Sequence, residues 1–143
     1  MDRKALTSML AGLVLAMSFA VIEAREASKA HGNLASTAVR LINTAEAYAR
    51  RTNARYVSLA DLAATGSLKQ AADMNEDLAS TYAELNLQNR TNLLNGFDFG
   101  LVVSSDGGAY KLSLSEKQSC GSAYFSDESG IIYTGRALGC HSK

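Results

Sequence analysis

The sequence predicts an α+β domain in which a long N-terminal α-helix packs on a four-stranded antiparallel β-sheet. Two observations lead there. From residue 25 to residue 51 apolar side chains recur at spacings of three and four, and from residue 97 onward they recur at every second position. A helix with one apolar stripe and a sheet with one apolar face each need a cover, and each covers the other. The third observation sets the scale. A chain of 143 residues has room for one domain, and 47% hydrophobic with 20% charged residues is the composition of a folded one.

The N-terminus reads as a targeting segment. Arg3 and Lys4 precede an apolar run from Ala5 to Ile22, and Ser18-Phe19-Ala20 places small residues where a signal peptidase reads them. Residues 1–20 are therefore expected to be a signal peptide and residues 21–143 the domain. The alternative is a weak, uncleaved membrane anchor, because the run is just long enough to be considered for a span. Export implies an oxidising destination, where Cys120 and Cys140, the only thiols, are expected to form one disulfide.

The helix follows from Arg25, with Ala27, Ala30, Leu34, Ala38, Leu41, Ala45 and Tyr48 on its stripe and Ala35, Ile42 and Ala49 on one flank. Arg50, Arg51 and Arg55 gather where it should end, and cations are favourable near the exposed carbonyls there. Ser58, Asp61 and Gly66 mark a short capped helix. A second helical stretch is expected over Leu68 to Leu85, with the polar run Asp73 to Asp77 as its weak point. Phe97 to Val103 and Tyr110 to Leu114 alternate as strands joined by an Asp106-Gly107-Gly108 turn. Ser122 to Ser126 and Ile131 to Thr134 make a second pair around Asp127-Glu128-Ser129-Gly130.

Little here supports catalysis, and no enzyme activity is expected. A nucleophile needs a base in reach, and the two histidines are His31, on the helix, and His141, near the end. Cys120, Cys140 and His141 lack the close cysteine pair of a zinc site, so no metal or other cofactor is expected. Asp127 and Glu128 are adjacent, point to opposite sides when extended, and read as turn residues; calcium at Asp127 and Ser129 would need more oxygens than are visible.

Fourteen basic residues balance fourteen acidic ones, which argues against a general polyanion binder. The balance is uneven along the chain: six basic residues face Glu26 and Glu46 between Arg25 and Arg55. Arg40, Arg50, Arg51 and Arg55 are candidates for electrostatic contact between subunits, ahead of nucleic acid, because only Tyr48 and Tyr56 interleave them. If the first half of the helix extends past the sheet, Ala27, Ala30 and Leu34 lack an internal partner and form a docking surface.

Three segments resemble the soluble part of type IV pilins and of type II secretion pseudopilins. Val39-Arg40-Leu41-Ile42-Asn43-Thr44-Ala45-Glu46 is similar to the long helix beyond its membrane half, and Gly96-Phe97-Asp98-Phe99 to the entry into the sheet. Ala123-Tyr124-Phe125-Ser126-Asp127-Glu128-Ser129-Gly130-Ile131-Ile132 is similar to the aromatic pair, acidic turn and β-branched strand that end it. The resemblance runs from about Ala27 to Thr134. It implies a structural function: an exported subunit or accessory of a pilus-like or secretion filament, extracellular or periplasmic, with filament subunits as partners, among them a short helix-only pilin. The family's cleavage motif is absent, since no Gly-Phe pair precedes the apolar run and no acidic residue falls inside it before Glu23. The competing expectation is a free pilin-like module that recognises a ligand or surface through the loops around Asp106 and Asp127.

Overall fold

The computed structural model describes residues 30–89 and 91–136. The chain divides into two units, Met1–Asn33 and Leu34–Lys143; of the first, residues 30–33 are described and are helical. Within the second unit, residues 34–53 form helix α1. Its buried side chains are Ala35, Ala38, Val39, Leu41, Ile42, Ala45, Glu46 and Ala49, so the flank of the expected stripe is as deeply covered as its centre. The helix stops at Ala54, whose φ of 58° turns the chain into left-handed geometry just past the last helical residue.

Three short helices connect α1 to the sheet: α2 (Leu59–Ala64), α3 (Ser67–Ala72) and α4 (Glu76–Glu84). Ser58 caps α2 as expected, accepting from Asp61 N at 3.2 Å while its hydroxyl donates to Asp61 Oδ2 at 2.7 Å. The single helix expected over Leu68 to Leu85 is instead two. Asn75 is extended, with φ −161° and ψ 165°, and its Oδ1 accepts from Leu78 N at 2.9 Å, so it starts α4 anew. A side chain that caps competes with one that continues a helix, and the polar run lets the cap win.

The sheet is an antiparallel meander of β1 (Phe97–Val103), β2 (Tyr110–Glu116), β3 (Ser122–Asp127) and β4 (Tyr133–Arg136), in the order β1-β2-β3-β4. The fold class is therefore α+β with four antiparallel strands. Its last strand starts later than the expected Ile131, because Ser126 Oγ donates to the Ile131 carbonyl at 2.9 Å and Gly130 N to the Asp127 carbonyl at 2.9 Å. Those bonds hold Ile131 in the turn, and pairing begins at Phe125 opposite Tyr133.

One face of the sheet is covered. Phe97, Tyr110, Leu112, Leu114 and Tyr124 share a single hydrophobic cluster with the α1 residues and with Leu59, Leu62, Leu68, Ala71, Leu78 and Leu85 from the connecting helices. Burial of a side chain of this size contributes about 1.5–3 kcal/mol, and that term holds helix, connector and sheet together.

Candidate functional site

Two surfaces emerge from this packing. The first is the uncovered face of the sheet. Strand register places Gly100, Ser113, Phe125 and Tyr133 in one row across all four strands, and Val102, Lys111 and Asp127 in the next. Side chains alternate between faces, so both rows lie opposite the core. A groove of about 400 Å³ runs here, lined by Val102, Lys111, Ser113, Phe125, Asp127 and Tyr133. Its floor is low at Gly100, where an added Cβ would lie 2.9 Å from Ser113 Oγ.

This face carries large exposed apolar side chains beside Lys111, Ser113 and Asp127. Val102 is 69% exposed, Phe125 47% and Tyr133 53%. Single exposed hydrophobics need no explanation, but register makes Phe125 and Tyr133 direct neighbours, and Val102 lines the same groove from β1 across Lys111 and Ser113. A second depression of about 410 Å³ lies on the far side of Phe125, lined among others by Glu116, Cys120, Ala123 and Arg136. Phe125 is thus a ridge between two hollows.

The second surface is the set of arginines on α1 and just past its end, with Arg40 in the first half of the helix and the other three at its close. Arg40, Arg50, Arg51 and Arg55 are all exposed. Two of them are held by the tyrosines that the sequence placed among them: the Arg50 guanidinium stands 5.0 Å from the Tyr56 ring and Arg51 4.8 Å from the Tyr48 ring. Arg50 Nη1 also donates to the Gly107 carbonyl at 3.4 Å, and Tyr56 N donates to the same carbonyl at 2.9 Å. Gly107, at φ 68°, has no room for a side chain, since a Cβ would come within 2.7 Å of Arg55 Cβ. Arg50 is therefore anchored to the β1–β2 turn with Arg55 packed beside it, whereas Arg51 is held on α1 itself.

Between the two surfaces runs a line of polar contacts from α1 to the sheet. Tyr110 donates its hydroxyl to Asn43 Oδ1 at 2.9 Å, and Asn43 Nδ2 donates to Ser126 Oγ at 2.8 Å. Burial pushes the Tyr110 phenol well above its usual range, so it remains a hydrogen-bond donor. Further along α1, Glu46 Oε2 accepts from Val57 N at 3.1 Å. Burial pushes the Glu46 carboxyl up from 4.5 to about 7, and the bond from Val57 offsets only part of that.

The remaining expected residues fall as follows. Ala30 is exposed, whereas Leu34 is half-buried against the core and only partly available for docking. Ala27, the third docking residue, lies outside the described residues, as do the segment 1–20, Cys140 and His141. Cys120 is exposed, and its expected pairing with Cys140 falls outside the described residues on one side. His31 is helical and exposed. Both turn aspartates keep their charge within their own loops: the Ser104 hydroxyl lowers Asp106, and the Ser129 hydroxyl lowers Asp127. Among the described residues, no three His, Cys, Asp or Glu side chains gather as a metal-binding group, and no helix is long and apolar enough to cross a membrane.

Three side chains of these candidate surfaces and contacts were not singled out by the sequence. Phe125 and Tyr133 lie eight positions apart, and only the β3–β4 register makes them neighbours. Glu46 carried a usable signal, standing four residues after Ile42 and three before Ala49 on the apolar flank of the helix. No protein-family model, no curated protein and no solved structure matches this chain.

Proposed function

We propose that this chain is an exported, non-catalytic, pilin-like subunit or accessory of a type IV pilus-like or secretion filament, docking on a partner through the helix that follows Ala24. The observation that carries the reading is the order and packing of its elements. A helix of 20 residues within the second unit shares one core with a four-stranded meander, and the three resembling segments fall in that helix, at the entry to the sheet and in its last strands. The anchored arginines at the end of α1 support an electrostatic contact between subunits, because a guanidinium already held over a ring loses less entropy on pairing. In this reading Cys120 and Cys140 close the last two strands as a disulfide.

A second reading rests on a different observation. The apolar groove on the uncovered face supports a free module that binds a ligand or surface, with Asp127 at the groove and Asp106 outside it. One experiment separates the two: intact mass of the protein from its native host, with and without reductant, measured on shed filaments and on periplasm. A mass beginning at Val21, lighter by a pair of hydrogens until reduced and recovered in filaments, supports the filament subunit. The same mass confined to soluble periplasm supports the binding module, and an uncut N-terminus overturns the signal peptide.

A further inference from the structure

We propose that the free edge of β1 pairs with β1 of a second copy of this chain, antiparallel and two-fold symmetric about Gly100, so that two four-stranded sheets join into one. The inference rests on the sheet alone and does not depend on the filament reading.

Hydrogen-bond alternation fixes which backbone groups of β1 are spare. The Gly96 carbonyl accepts from Lys117 N at 2.9 Å and the Ala109 carbonyl from Ser104 N at 3.0 Å, one bond at each end of the β1–β2 ladder. Bonded and non-bonded positions alternate along an antiparallel pair, so Asp98, Gly100 and Val102 bond β2 while Phe99, Leu101 and Val103 turn their N–H and C=O groups outward. Among the described residues those outward groups meet no partner.

An edge of this kind is ordinarily blunted by a lysine, a proline, a bulge or a short strand. β1 has none of these: it is seven residues long, its register with β2 is unbroken, and it reads Phe-Asp-Phe-Gly-Leu-Val-Val. β4, the opposite edge, is four residues long and ends on Arg136. β1 is also where the cover of the core runs out. Tyr110, Leu112 and Leu114 on β2 are buried, whereas Phe99, Leu101 and Val103 pack on the same core and stay half-buried.

Symmetry and charge name the occupant. Gly100 is the middle residue of β1, so a two-fold axis there pairs the strand along its whole length and sets Phe99 opposite the second copy's Leu101, once on each side of the axis. These residues carry the outward groups, so each such pair exchanges two backbone hydrogen bonds, and their half-buried side chains cover one another on the core side. On the opposite face the same register sets Asp98 against the second copy's Val102, whose neighbour on β2 is Lys111. Asp98 and Lys111 are both exposed, and within one chain Asp98 has only Ser115 beside it on that face. Two strand spacings bring the opposite charges to about 10 Å at the backbone, a span their side chains shorten from both ends. Placed twice about the axis, this attraction selects the second copy and its orientation.

The test uses the chain as recovered from cells, compared at micromolar and sub-millimolar concentration by sedimentation velocity and by amide exchange. A concentration-dependent dimer should form, and with it the Phe99 and Leu101 amides should gain about tenfold protection, while the Gly100 and Val102 amides, already bonded to β2, change little. Asp98→Lys, at an exposed position, should weaken the dimer about tenfold and lower the same protection with an unchanged circular dichroism spectrum. A chain that stays monomeric at sub-millimolar concentration, a dimer in which Phe99 and Leu101 exchange as they do in the monomer, or undiminished dimerisation of Asp98→Lys overturns the pairing. If that variant does not fold, amide exchange of the unaltered chain decides by itself.

Discussion

Replacing Asn43 tests whether the helix is pinned to the sheet by the contacts described. Its side chain donates to Ser126 Oγ at 2.8 Å on β3 and accepts from the Tyr110 hydroxyl at 2.9 Å on β2, so Asn43→Ala removes two short hydrogen bonds worth about 1 kcal/mol each, along with a long, exposed one from Nδ2 to the Gly130 carbonyl at 3.4 Å that adds little. Ser126 keeps an outlet, because its hydroxyl still donates to the Ile131 carbonyl. Tyr110 does not: the residue is 3% exposed, and an orphaned hydroxyl there costs about 1 kcal/mol more. The expected loss is about 3 kcal/mol in total. Tyr110→Phe alone removes one bond and leaves the half-buried Asn43 able to find water, for about 1 kcal/mol. In the double variant no hydroxyl is left to be orphaned and the shared bond is counted once, so the cost is about 2 kcal/mol and not the sum of the singles. Urea unfolding followed by far-ultraviolet circular dichroism, with an unchanged slope in denaturant, measures all three. A coupling energy within about 0.5 kcal/mol of zero would refute the idea that these residues form one clamp.

Three further perturbations follow from the same structure. Because the folded state raises Glu46 from 4.5 to about 7, folding takes up a proton; the stability this contributes is fully present below about pH 4.5 and is lost as pH rises through 7, by about 3 kcal/mol, and Glu46→Gln should flatten that part of the pH–stability curve. Phe125→Ser and Tyr133→Ser, on the uncovered face, should each cost about 1 kcal/mol or less in urea unfolding while reducing recovery on the native surface or filament; unchanged recovery in both would remove the groove from consideration. Cys120→Ser or Cys140→Ser should lower stability by about 3 kcal/mol and abolish the effect of reductant on the unfolding midpoint, whereas equal midpoints with and without reductant in the unaltered chain would mean that the bridge is absent.

The parts legible in the sequence are those set by neighbours along the chain. Alternation through Phe97, Phe99, Leu101 and Val103 marks a strand because successive side chains point to opposite faces, and the structure places all four toward the core. Ser58 before Leu59 caps a helix because its hydroxyl reaches the backbone three residues on. The Asp106 and Asp127 turns are equally local, each held by its own carboxylate.

Where the reading fell short, a partner distant in sequence made the decision. Val39 and Glu46 are buried because sheet and connecting helices both contribute to the cluster around α1, and no periodicity in the helix tells how many elements will cover it. The sequence determined that residue 46 is a carboxylic acid on a helix, but the upward shift of its carboxyl follows from burial, which the single donor Val57 N only partly offsets. It likewise placed Phe125 and Tyr133 in two paired strands, yet their outward face and their meeting beside Ser113 depend on strand register. Hydrogen-bond spacing and side-chain alternation act over a few residues, so composition and order encode them directly; desolvation and shared surface arise only when distant segments close on one another, and tertiary packing decides those.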